Sequence, residues 1–144
     1  MNNKQIGLIT ESEVRTALLK CNCSVSSPEG DNSRYDLIAD VDGTLLRIQV
    51  KSSHTRDGGN SFEFYCASHY LNMTGQCVRT YTKDEIDYFA TVWKYKAYLI
   101  PVEECKTRKQ LRIKPTKNNR NADINWAKDY ELEKVVDKLR TAEL

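Results

Sequence analysis

The sequence predicts an α/β domain, bordering on α+β, in which a central mixed β-sheet is flanked by helices. Three observations carry this. Val14, Ala17, Leu18 and Cys21 recur at helical spacing near the N-terminus. Two apolar, alternating runs flank Asp42-Gly43, a tight-turn signal. A second helical stripe, Leu132, Val135, Val136 and Leu139, closes the chain.

The first helix is expected over residues 5–21. Glu11 stands three residues before Val14 and seven before Leu18, which puts it on the apolar stripe, facing inward. An inward acid is costly unless something pairs with it. Residues 22–33 hold Pro28, Gly30 and small polar residues and read as a loop. Strands are expected at 34–40 and 44–51. In the second, Leu46, Ile48 and Val50 share one face and Arg47, Gln49 and Lys51 the other.

Residues 54–61, HTRDGGNS, read as a loop broken by Gly58-Gly59. A third strand is expected at 62–67. Residues 68–83 mix Tyr, Asn, Gln and Arg79 with little apolar periodicity. Runs at 87–93 and 97–102 are β-rich and joined by the short turn Lys94-Tyr95-Lys96. An edge strand over 110–114 is stopped by Pro115, residues 115–125 read as an extended arm, and a last helix runs from about 126 to 141.

The 144 residues suit one domain over 1–144, and 40% hydrophobic with 29% charged residues suits a soluble globular chain. No apolar run approaches the roughly 20 residues that span a bilayer, and no signal-peptide core is visible, so no membrane partner and a cytoplasmic location are expected. Five cysteines, with no CxxC pair, read as reduced thiols. Net charge is only +2, but Lys106 to Arg120 holds seven Lys or Arg and no acid. Such local clustering is the electrostatic footprint of a nucleic-acid partner, and equally of a solvated basic loop.

Asp36, Gln49 and Lys51 are the residues that fit a hairpin core badly. Gln49 and Lys51 share a face, and Asp36 lies opposite them if the hairpin splays at that end. Asp36 and Glu11 offer hard oxygen ligands, and the Gln49 side-chain oxygen and backbone near Val50 add more. That set suits Mg²⁺, with Mn²⁺ as a substitute. Lys51 beside it suits orientation of an attacking water and stabilisation of an anionic transition state. The plainer reading is a solvated strand face carrying one Asp36–Lys51 ion pair.

The spacing distinguishes the two. Tyr35-Asp36, then thirteen positions to Gln49, then Gln49-Val50-Lys51, resembles the PD-(D/E)XK nuclease superfamily, and Glu11 matches the acid often found on its first helix. The resemblance covers about residues 5–102 and implies a restriction-endonuclease-like core. Two positions depart from the pattern: Tyr35 replaces the usual Pro, and Gln49 the usual acid. A neutral amide lowers the negative charge of the site. Gln at this position also occurs in Mrr-like restriction nucleases. Within the superfamily the arrangement looks like the intron-encoded homing endonucleases of this type known from cyanobacteria. That resemblance implies cleavage of double-stranded DNA at a long, pseudo-palindromic site by a homotetramer, with no small-molecule cofactor. Symmetry independently asks for at least a dimer, since one centre per chain cuts one strand.

Three stretches are candidate DNA contacts. Ser52, Ser53, His54 and Arg56 follow the catalytic strand directly. Arg79 lies in the 68–83 stretch, and Lys117, Asn119 and Arg120 in the arm. Asn and Gln read adenine edges and Arg reads guanine, but Lys and Arg mostly hold phosphates. No histidine-based nuclease arrangement surrounds His54 or His69. The alternatives are a Mrr-like restriction or Holliday-junction-resolving nuclease, and a non-catalytic DNA-binding module with a decayed site.

Overall fold

In a computed structural model, residues 1–116 and 124–142 are described. Helix α1 spans Asn3–Lys20. Its start is fixed by a capping box: Gln5 N–H donates to Asn2 Oδ1 at 2.9 Å, and Asn2 N–H to Gln5 Oε1 at 3.0 Å. Its buried positions are Thr10, Val14 and Leu18, one stripe at i, i+4, i+8. Glu11 flanks that stripe rather than lying on it, and 31% of its side chain is exposed. The inward polar residue is Thr10, whose hydroxyl donates to the Ile6 carbonyl at 2.9 Å.

The central sheet has five strands: β1 (Ser24–Ser26), β2 (Leu37–Val41), β3 (Thr44–Val50), β8 (Tyr88–Trp93) and β9 (Lys96–Pro101), in that spatial order. Between β3 and β8 the chain builds β4 (His54–Arg56), β5 (Ser61–Tyr65), β6 (Ala67–Asn72) and β7 (Gly75–Thr80). Strand β10 (Arg108–Arg112) joins β5 and β4 in a three-stranded sheet, and β6 and β7 form a separate two-stranded ribbon. Within the central sheet β3 and β8 pair in parallel and the other neighbours are antiparallel, so the sheet is mixed as expected.

The two-residue turns select left-handed backbone. Asp42 and Gly43 have φ of 52° and 97°, and the Gly43 amide donates to Asp40 Oδ1 at 2.7 Å. Lys94 and Tyr95 adopt the same region, at 49° and 66°, without a glycine, so the β8–β9 turn is held against its local preference.

Both faces of the central sheet are buried, and alternation decides which residue goes where. Ala90 and Leu99 join Val14, Leu18, Ile48 and Val136 in one core, under the two helices. Their neighbours Phe89 and Ile100 join Phe62, Phe64 and Leu111 in the other, under the small sheet. The two helices thus share one face, and the β10–β5–β4 sheet covers the opposite one. Truncating a fully buried residue such as Leu18 to Ala costs about 2–5 kcal/mol.

Several boundaries differ from the sequence reading. The 22–33 loop contains β1, and the 54–61 loop contains β4 and a 3₁₀ turn over Asp57–Gly59. The expected last helix is two pieces, a 3₁₀ turn Ala127–Tyr130 and α2 (Leu132–Ala142). Glu131 interrupts them because it is committed elsewhere: its backbone bridges Tyr98, and its carboxylate pairs with Lys96 at 3.1 Å and Lys134 at 3.2 Å. Most of the expected arm, with Lys117, Asn119 and Arg120, lies outside the described residues. Among the described residues no helix is long and apolar enough to cross a membrane. Cys21, Cys23, Cys66, Cys77 and Cys105 are all free thiols.

Candidate active site

Regular pairing of β2 with β3 ends at Leu37↔Ile48, and the next position on each strand is Asp36 and Gln49. There the ladder changes character. The Asp36 amide still donates to the Ile48 carbonyl at 2.8 Å, but the Val50 amide donates to the Asp36 side chain, Oδ2, at 2.9 Å. The side chain of Asp36 has replaced a strand. A strand residue's N–H and C=O lie on the same edge, so the Val50 carbonyl faces that side too.

Gln49 completes the arrangement. Its amide nitrogen donates to the Arg34 carbonyl at 2.8 Å and to Asp36 Oδ2 at 3.2 Å, since both neighbours are acceptors. The amide expected as a metal ligand or water-positioning group therefore presents N–H to the acid in this structure. Lys51 is anchored by its amide to the Ala90 carbonyl at 2.9 Å, and its Nζ lies 5.4 Å from the centre of the Tyr81 ring. The Arg34 guanidinium sits on the same ring at 3.7 Å.

The electrostatics single out the two acids. Burial pushes the Asp36 carboxyl above its ordinary value, against the pull of the Val50 amide and the Lys51 charge. Burial also raises Glu11, and the Asp36 charge raises it further, while Arg15, 3.7 Å away, lowers it. Two carboxyls that disfavour ionisation together form a site that a cation would relieve. Among the described residues no cluster of three or more His, Cys, Asp or Glu exists. A pair of carboxylates suits a hard cation that keeps several waters and shares its coordination with a phosphate.

Residues that the sequence did not single out support this centre. Arg34 donates to Ser68 Oγ at 2.8 Å and to the Thr80 carbonyl at 2.9 Å, and its Nε lies 3.0 Å from Glu85. Burial would raise Glu85, but the Thr82 amide, Arg34 and Arg79 outweigh it and hold the carboxyl below its ordinary range. Arg47 locks the adjoining segment to β3: it donates through its backbone and guanidinium to Asp87 at 2.8 and 3.2 Å, and to the Asp84 and Lys83 carbonyls at 2.6 and 2.9 Å. Arg34 precedes the motif by two residues and looked like the start of a strand, so nothing in its local pattern marked it.

The expected DNA contacts have varied placements. Ser52 Oγ lies 3.5 Å from Thr10 Oγ1, just past the end of β3 and against α1. The Ser53 hydroxyl donates to the Val92 carbonyl at 2.6 Å and is spent on β8. His54 is exposed, edge-on to Tyr65. Arg56 pairs with Glu63 at 2.7 Å, and Arg79 with Glu85 at 2.8 Å, each with much of its side chain in solvent.

The split end of the β2–β3 ladder brings Asp36, Gln49 and Lys51 together, with the helical acid Glu11 beside them. The sequence pattern of the PD-(D/E)XK endonuclease family matches residues 1–133, and the chain belongs to that family. No curated protein matches it. Among solved structures it is similar to a bacterial homing endonuclease, I-Ssp6803I, with a TM-score of 0.79 and 22% identity over 100% of this chain and 99% of that one. At that identity the likeness establishes the restriction-endonuclease-like fold.

Proposed function

We propose that the chain is a site-specific homing endonuclease, encoded within an intron, that hydrolyses double-stranded DNA with Mg²⁺. The observation that carries the reading is Asp36: a half-buried carboxyl that takes the Val50 amide where the β2–β3 ladder ends, with Lys51 and Glu11 beside it.

Asp36, Glu11 and the Val50 carbonyl would hold the cation. When bound, it supplies Lewis-acid polarisation of the scissile phosphate and neutralises charge there. Gln49 donates to Asp36 and fixes its orientation. Lys51, anchored at the end of β3 by its amide to the Ala90 carbonyl, places a cation where negative charge develops on the phosphate and aligns the attacking water. Ser52 and His54 follow Lys51 directly in the chain, and with the solvent-exposed parts of Arg56 and Arg79 they serve phosphate positioning.

One centre hydrolyses one strand, so a double-strand break on a pseudo-palindromic site takes two subunits, arranged here within a homotetramer. The five free thiols suit a reducing, cytoplasmic setting.

The test is nicking of supercoiled plasmid carrying a selected target. Product in Mg²⁺ and none in EDTA supports the reading. Tight binding without nicking in either Mg²⁺ or Mn²⁺ favours a non-catalytic DNA-binding module, for which the neutral Gln49 is the relevant feature. Preference for four-way junctions or for short, methylation-sensitive sites would favour the resolvase or restriction activities.

A further inference from the structure

The β6–β7 ribbon is fixed at its root, and among the described residues no further strand pairs with it. Arg34 grips both strands, through Ser68 Oγ and the Thr80 carbonyl, and Ser68 also donates to the Tyr81 hydroxyl at 3.3 Å. The same Arg34 carbonyl takes the Gln49 amide, and the same Tyr81 ring faces Lys51. The ribbon is therefore built onto the catalytic centre, and a duplex seated there passes alongside it.

Opposed residues of an antiparallel pair share a face. The register places Ser68, Arg79, Tyr70, Cys77 and Asn72 on one face and His69, Val78, Leu71 and Gln76 on the other. Most polar groups of the first face are engaged: Ser68 and Arg79 bind Arg34 and Glu85, and Asn72 Oδ1 accepts from Thr74 N–H and Oγ1, while Tyr70 is half exposed. On the second, His69 and Gln76 are exposed and have no hydrogen-bond partner among the described residues. Leu71 and Val78 stand between them, 82% and 52% exposed. Two polar groups with donors and acceptors, interleaved with two exposed apolar side chains, lack the charge of a phosphate-binding surface.

We propose that the His69–Leu71–Gln76–Val78 face of the ribbon reads base edges in the major groove beside the cut, and so sets target specificity. The inference rests on the nuclease reading of the neighbouring centre. A two-stranded ribbon fits a groove about 12 Å wide. Gln76 and His69 meet base-edge donors and acceptors, and Leu71 and Val78 meet thymine methyl groups. From Ser68 to Asn72 the ribbon extends about 14 Å, at about 3.4 Å per residue. That is about four base-pair steps at 3.4 Å each, so the face reads a run of about four base pairs in each half-site.

The test is selection of bound duplexes from a randomised library, run in Ca²⁺ so that binding is read without cleavage. It uses the full-length protein and the variants His69→Ala, Gln76→Ala and the double variant. The expected result is relaxed preference, about 5- to 150-fold per base pair lost, at a few positions in each half-site, with the rest of the profile intact. Thermal denaturation should match wild type, because both side chains are exposed. Three results would overturn the proposal. One is an unchanged profile. Another is a uniform loss of affinity with a shallower salt dependence, the mark of phosphate contact. The third is an altered oligomeric state with the profile kept, which would make the face a subunit contact. Failure of the wild type to cleave in Mg²⁺ would instead count against the nuclease reading and leave this readout standing.

Discussion

The Gln49 amide nitrogen lies 3.2 Å from Asp36 Oδ2, the same oxygen that accepts the Val50 amide at 2.9 Å. The family pattern places an acid where Gln49 stands. Here that position donates to its neighbour instead of adding charge, and this end of the ladder keeps one half-buried carboxyl rather than two side by side.

Gln49→Glu should reverse this. A second carboxylate against Asp36 Oδ2 replaces a hydrogen bond by repulsion, so the variant should melt lower than wild type without divalent ions. It should recover more on adding Mg²⁺. Gln49→Ala, which only removes the donor, should lose about 10- to 100-fold in cleavage, as expected for a group that orients a ligand. Melting curves with and without Mg²⁺, alongside cleavage rates, check both.

Asp36→Asn should uncouple stability from activity. Burial raises the Asp36 carboxyl above its unfolded value, so the folded chain binds that proton more tightly. Its contribution to stability is greatest below the ordinary carboxylate range, about pH 4, and is lost as pH rises through the raised value. At neutral pH the ionised group is a cost. Asn keeps an oxygen for the Val50 amide and removes the charge. The variant should be at least as stable as wild type at pH 7, should not cleave, and should show little stabilisation by Mg²⁺. A scan of melting temperature against pH and Mg²⁺ reads all three.

Asp87 has the opposite sign. Burial raises its carboxyl, but the Arg47 guanidinium and amide outweigh burial and hold it below its ordinary value. Stability from this pair is present above the unfolded value, about 3.9, and is lost as pH falls through the lowered one. Arg47→Ala removes the guanidinium's hydrogen bonds to Asp87 and to the Asp84 and Lys83 carbonyls, and leaves the backbone amide's bond to Asp87 in place. It should cost about 1.5–3 kcal/mol at pH 7, and less in strong acid. Urea denaturation at the two pH values makes the comparison.

The fold and the site were legible in the sequence to different depths. Alternation around Asp42-Gly43 identified β2 and β3, because a two-residue turn fixes register and both strands bury one face. The spacing of Asp36, Gln49 and Lys51 then pointed to the site. Glu11 was placed one position off its true face, since a helical stripe of three residues tolerates either phase and Thr10 is a poor apolar marker. The β6–β7 ribbon went unseen for a physical reason: it buries almost nothing, so neither face carries the apolar alternation that marks a strand. Arg34 and Tyr81 act through contacts made across more than thirty positions, which no local pattern encodes.

Lys51→Ala tests the central claim most directly, with DNA binding and cleavage measured separately on one selected duplex in Mg²⁺. Binding should stay within a few-fold of wild type while the single-turnover cleavage rate falls by about 10²- to 10³-fold, as when one preorganised electrostatic group is removed. Cleavage at the wild-type rate would contradict the assignment of this β2–β3 end as the catalytic centre.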